Sequence, residues 1–267
     1  MPLRHPWTWV ASAVVGVIAV LVLLSVATNP AFEWPVVARY MFDRQILLGL
    51  SRTLELTIAA MVMGLGLGTV LAVMRLSSNL LLSTVSWAYI WFFRSVPVLV
   101  QLIFWYNFGA LYSRITLRIP FGPTLYSVST NTLITPLFAA LAGLGLAQAA
   151  YTAEVIRGGI VSVPRGQTKA ALALGMRPAT IFLRIVFPQA MKVIIPPVGN
   201  EVISMVKNTS LVSVIALAEL LYTAQLIYAR TYETIPLLIV ASLWYLAIVS
   251  ILSVGQHFLE RRYRQRS

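Results

Sequence analysis

Cysteine is absent, which excludes disulfides, thiolate metal sites and a cysteine nucleophile. Charge is scarce too: Asp, Glu, Lys and Arg make up only 10% of the chain, against the quarter or so usual in a soluble domain. Acidic residues are the rarer sign, eight against 20 Lys and Arg. The only histidines, His5 and His257, lie near opposite ends, and no metal-ligand spacing or nucleophile elbow is present. The glycines of MGLGLG (63–68) follow no strand and precede no Lys-Ser or Lys-Thr, so they are not read as a phosphate-binding loop. What is abundant is apolar: 59% of the residues are hydrophobic and the mean hydropathy is +0.83. The composition is that of an integral membrane protein, with no catalytic constellation and no metal site.

The fold class expected is all-α, a polytopic helical bundle with six membrane spans and both ends inside. Trp9 to Ala27 is the first, about 19 uncharged residues for roughly 30 Å of hydrocarbon. A secretory signal is the competing reading, but no cleavage pattern follows. The second span runs from about Leu50 to Met74, where Gly64, Gly66 and Gly68 would let helices approach closely in lipid. Between Arg75 and Arg94, serine and the aromatics Trp87, Tyr89, Trp91, Phe92 and Phe93 predict a helix lying in the interface. The third span is then Ser95 to about Tyr112, followed by an outer segment, Ser113 to Asn131, with turn signals Pro120, Gly122 and Pro123. The fourth is Leu133 to Ile156. The fifth runs from Pro188 to Ala218, interrupted at Pro196, Pro197 and Gly199, and the sixth is Ile235 to Leu259. This topology puts about 13 Lys and Arg inside and about 6 outside. The net charge of +12 is therefore membrane orientation and needs no nucleic-acid partner.

Ionisable residues inside a membrane are expensive, which marks Glu55, Glu154, Glu201 and Lys207. Glu154 is expected to pair with Arg157, and Glu55 with Arg52, each three residues away on one helix face. Glu201 and Lys207 are six apart, share no face, and flank Asn208, Thr209, Ser210 and Ser213. Polar residues in an interrupted span are how transporters meet a solute.

Between the fourth and fifth spans lies RGQTKAALALGMRPATIFLRIVFPQA (165–190), basic and rich in helix formers, with Gly175 where a turn needs a residue without a Cβ. A short helix, a turn and a second short helix are expected on the cytoplasmic side, receiving mechanical input from a soluble partner.

These segments together resemble the permease subunits of binding-protein-dependent ABC importers of the polar amino acid type (histidine, glutamine and glutamate/aspartate permeases). The loop is similar to that family's EAA loop through Ala170, Ala171, Gly175, Ile185 and Pro188, with Lys169 in place of the usual glutamate. SRTLELTIAA, LAVMRLSS, FFRSVPVLVQLIFWY, AAYTAEVIRGGI and PPVGNEVISMVKNTSLVSVIAL resemble family segments in family order.

The resemblance implies three divisions: an N-terminal helix and outer loop (1–46), a transporter domain (47–262) with its coupling loop at about 163–180, and a cytoplasmic tail (263–267). It implies import of a polar amino acid across a bacterial inner membrane. The implied partners are an extracytoplasmic binding protein, a second permease in a homo- or heterodimer, and a cytoplasmic ATPase dimer that alone binds ATP and Mg. ATPase coupling would fall to Lys169, Ala170, Ala171, Gly175 and Met176. The solute pathway would be lined by Gln148, Tyr151, Thr152, Asn208, Thr209 and Ser210, with Glu154, Glu201 and Lys207 as intramembrane charges. RGQTKAALALGM and LAVMRLSS look most like glutamate and aspartate permeases, and Lys207 would favour such a cargo; Glu154 and Glu201 would favour a basic one. An ion-coupled secondary amino acid transporter is the alternative.

Overall fold

The computed structural model describes residues 6–119 and 123–264, so the expectations for His5, Pro120, Gly122 and the end of the tail fall outside it. The helices, in chain order, are α1 (Pro6–Thr28), α2 (Trp34–Tyr40), α3 (Arg44–Leu76), α4 (Leu80–Ser95), α5 (Val98–Tyr106) and α6 (Phe108–Leu111). After a hairpin of β1 (Arg114–Arg118) and β2 (Thr124–Ser129) come α7 (Thr130–Leu133), α8 (Pro136–Val161), α9 (Arg165–Ala173) and α10 (Pro178–Ile181). The last are α11 (Phe187–Asn208), α12 (Leu220–Thr231) and α13 (Thr234–Arg264). Side-chain caps fix where the long helices start. Asp43 accepts from Gln45 N (2.8 Å) ahead of α3, and Thr135 accepts from Phe138 N (3.2 Å) ahead of α8.

Among the described residues, five helices are long and apolar enough to cross a membrane, or six spans if one bent pair counts as a span. The third expected span is corrected by that pair. Ser95 to Tyr112 is not one helix: α4 and α5 meet at 99°, and the nine residues of α5 rise only about 14 Å. Pro97 stands at the corner, and Gln101, nearly buried, donates from Nε2 to the carbonyls of Phe93 (3.1 Å) and Val96 (2.9 Å), which the bend leaves without helical partners.

The interruption of the fifth span is also displaced. Pro196 and Pro197 sit inside α11 without ending it, and beside them Gln256 of α13 donates to the Pro196 carbonyl at 2.8 Å, Gly199 leaving room for that side chain. The regular helix stops instead at Thr209, where a 3-10 segment runs to Ile215. At the other end, a π-helical turn, Phe182–Val186, joins α10 to α11. The outer segment contains an antiparallel hairpin, with Arg114 opposite Ser129.

The core forms where α3, α8, α5 and α11 meet, around Leu56, Ala60, Leu102, Leu144, Met205 and Val212. A second cluster, with Ile46, Leu220, Leu237 and Val240, joins α3, α12 and α13. Helix α1 stays apart: none of its apolar window is buried within the chain.

Candidate functional site

Gly64 and Gly68 of α3 lie against Gln148 and Thr152 of α8, so close that a Cβ on either glycine would come within 2.8 Å of the facing side chain's Cβ. Gly66 points elsewhere, with nothing within 4 Å of an added Cβ. Four-residue spacing puts both glycines on one face and the two polar residues on one face of α8. Close packing of small residues is how membrane helices associate.

Held in this way, Gln148 and Thr152 reach α11. Gln148 Nε2 donates to Glu201 Oε2 at 2.7 Å, Thr152 Oγ1 donates to the same oxygen at 3.1 Å, and Gln148 Nε2 lies 3.1 Å from Thr152 Oγ1. Both donors are buried and Glu201 is half-buried. The second carboxylate oxygen, Oε1, has no hydrogen-bond partner among the described residues. The arrangement presents one fixed anionic oxygen, pre-oriented by neutral donors, and can take a cation or a strong donor.

The remaining candidates are not gathered here. Thr209 and Ser210 turn their hydroxyls onto the carbonyls of Val206 and Lys207 (2.7 Å each), capping the end of α11, while Asn208 is half-buried and Lys207 exposed. Tyr151 lies under the Arg94 guanidinium, whose Cζ is 5.4 Å from the ring centroid. Glu154 is held by Arg157 through three contacts of 2.8 to 3.1 Å. Glu55 pairs with Arg52 at 2.8 Å, as its spacing suggests.

In the loop, α9 ends in a glycine cap. Gly175 has φ 75°, its N–H donates to Leu172 O (2.9 Å) and Met176 N–H donates to Ala171 O (3.1 Å), a Schellman pair. Lys169 and Ala170 face outward, Met176 is half-buried and Ala171 is buried. The large outward apolar residues of α9 and its cap are Leu172 and Leu174, the latter 82% exposed.

Glu219 is the carboxylate that reading the sequence misses. It is fully buried and caps α12 through Leu221 N (2.9 Å) and Tyr222 N (2.8 Å). The same side chain takes Tyr245 Oη of α13 (2.8 Å) and Thr53 Oγ1 of α3 (3.4 Å). Burial pushes its carboxyl above the usual range, and the hydrogen bonds only partly offset that. It precedes the helical pattern LLYTAQL, outside the apolar spans where charges attract notice, and glutamate is not among the residues that ordinarily mark an N-cap.

Residues 64–265 match the family described as binding-protein-dependent transport system inner membrane component. The arginine transport system permease protein ArgU of Corynebacterium glutamicum is 42% identical, covering 100% of this chain and 83% of ArgU. The glutamate/aspartate import permease protein GltK of Escherichia coli O6:H1 is 34% identical over 86% of this chain and 98% of GltK. A solved amino acid ABC transporter, crystallised with histidines, superposes with a TM-score of 0.71 at 33% identity, covering 84% of this chain and 97% of that one.

Proposed function

The chain belongs to the binding-protein-dependent transport system inner membrane component family, and we propose that the cargo it passes is a basic amino acid met by Glu201. It is a multi-pass inner-membrane permease subunit of an ATP-driven importer of polar amino acids. The permease is not itself an enzyme: ATP and Mg belong to a partner ATPase, and a binding protein delivers the solute.

In the reading proposed here, both termini are cytoplasmic and residues 47–262 form the transporter domain, paired with a second copy or a sister permease. The loop at 163–180 seats on the ATPase, with Lys169, Ala170, Leu174 and Met176 near its outer face and Gly175 setting its turn. ATP-driven closure of the ATPase pair then rocks α8 and α11, the helices on either side of that loop. Gln148, Thr152 and Glu201 lie on those two helices, so the same movement would open and close the cargo site.

The observation that carries the cargo assignment is the unfilled oxygen of Glu201, since a guanidinium or ammonium group matches a carboxylate in charge and donor geometry. Glu154 and Glu55, the other carboxylates marked within the membrane, are already paired with Arg157 and Arg52. An acidic cargo would rest on Lys207, an exposed residue about 9 Å further along the α11 axis. ArgU, similar across the whole of this chain, carries arginine in its name.

Uptake competition in proteoliposomes holding the permease, ATPase and binding protein tests the assignment. Unlabelled arginine and lysine should suppress labelled arginine uptake while glutamate does not; suppression by glutamate equal to that by arginine would overturn it.

A further inference from the structure

A polar cavity of about 530 Å³ lies between α3, α4 and α8. Arg75, Arg94 and Arg157 line it with one carboxylate, Glu154, a surplus of two positive charges. Arg157 is taken by Glu154. Arg75 donates to the Ser83 hydroxyl (2.9 Å) and Arg94 lies over the Tyr151 ring, so neither guanidinium makes an ion pair among the described residues, and both share with Arg157 the single charge of Glu154. Unneutralised arginines gathered in one cavity are a site for an oxyanion.

The surroundings say where that oxyanion comes from. Arg157 stands near the end of α8, which leads to the loop read above as cytoplasmic, and Arg75, in the last turn of α3, lines the same cavity. Trp87 and Trp91, stacked at 6.2 Å and 51% and 60% exposed, form the outer rim, and Leu80 and Leu81 at the start of α4 are 82% and 70% exposed. Tryptophan beside arginine at the end of a span, with bare leucines adjoining, is the composition of a membrane interface. The cavity also lies off the cargo site: the side chains it takes from α8 are turned about 140° around the helix from Gln148 and Thr152.

We propose that this cavity binds the phosphate headgroup of an anionic phospholipid from the inner leaflet, with Arg75 and Arg94 as its ligands and Trp87 and Trp91 at the level of the glycerol. The assignment rests on the inward placing of the loop but not on the choice of cargo. The other source of an oxyanion is the carboxylate of the passing amino acid, and the experiment separates the two.

The complete transporter, in nanodiscs of phosphatidylcholine with and without phosphatidylglycerol, is examined by native mass spectrometry in the absence of any amino acid, and its ATPase is then assayed with binding protein and cargo. The wild type should retain phosphatidylglycerol over phosphatidylcholine. Arg75→Gln and Arg94→Gln should each lower that retention about tenfold, the equivalent of ~1.4 kcal/mol, and Arg94→Lys should recover part of it. ATPase stimulation by phosphatidylglycerol should fall in parallel. Unchanged retention in both glutamine variants would overturn the proposal. So would loss of cargo-stimulated ATPase that is equal in the two lipids, because the arginines would then be holding the cargo's carboxylate. If Arg75→Gln fails to assemble, Trp87→Ala replaces it, with reduced retention expected and wild-type retention contradicting.

Discussion

Gly68 of α3 meets Thr152 of α8 with no room for a side chain, a Cβ on the glycine falling 2.8 Å from the threonine Cβ. That contact, repeated one turn away between Gly64 and Gln148, sets the polar pair of α8 beside Glu201. The glycines thus bear directly on the two donors of the proposed cargo site.

Gly68→Ala should therefore separate α3 from α8 and cost about 1–3 kcal/mol, the range for overpacking a tight core, with a large loss of uptake. Gly66→Ala, facing open space, should leave both unchanged. Thermal unfolding of the purified complex and uptake in proteoliposomes read the two effects.

The turn at Gly175 depends on its left-handed backbone, φ 75°. Gly175→Ala should strain it by about 1–2 kcal/mol and weaken coupling. Gly175→Asp should abolish ATP-dependent uptake while the protein still inserts, as membrane fractionation beside the uptake assay would show.

Leu174 is the most exposed apolar side chain of the loop and Lys169 an exposed charge beside buried Ala171. If shape more than one ion pair carries the docking, Lys169→Glu should be tolerated, whereas Leu174→Asp should weaken ATPase association about tenfold or ~1.4 kcal/mol. Co-purification of the ATPase with each variant measures this.

Glu219 lies between the fifth and sixth spans, and burial raises its carboxyl above the ordinary value. A carboxyl that holds its proton more tightly when folded contributes stability that is full below the unfolded value and is lost as pH rises through the folded one. Glu219→Gln should flatten that decline, and Glu219→Ala, which removes the cap of α12, should cost about 0.5–2 kcal/mol at any pH. Melting temperatures across the acid-to-neutral range test both.

Local pattern carried the parts of this fold that depend on neighbours in sequence. The apolar runs, the pairs Arg52–Glu55 and Glu154–Arg157, and the turn at Gly175 all follow from spacings of a few residues. What escaped depends on distant partners. Pro196 and Pro197 read as a break, but α11 continues through them, with Gln256, 60 residues on, bonded to the Pro196 carbonyl. The Ser95–Tyr112 run reads as a straight span, but Gln101 reaches back to hold a corner. Thr209 and Ser210 look like pathway hydroxyls, and composition cannot reveal that both bond to their own helix. Of the candidate pathway residues, only Gln148 and Thr152 converge on Glu201, because only they sit over the glycine seats of α3.

The most direct test is the cargo preference of Glu201→Gln, which keeps the side chain's shape and removes its charge. Initial uptake rates for arginine and for a neutral polar amino acid should be compared in the complete transporter. Arginine uptake should fall at least about tenfold (~1.4 kcal/mol) while neutral uptake holds or rises. Arginine uptake at the wild-type rate in a fully assembled Glu201→Gln transporter would contradict the account.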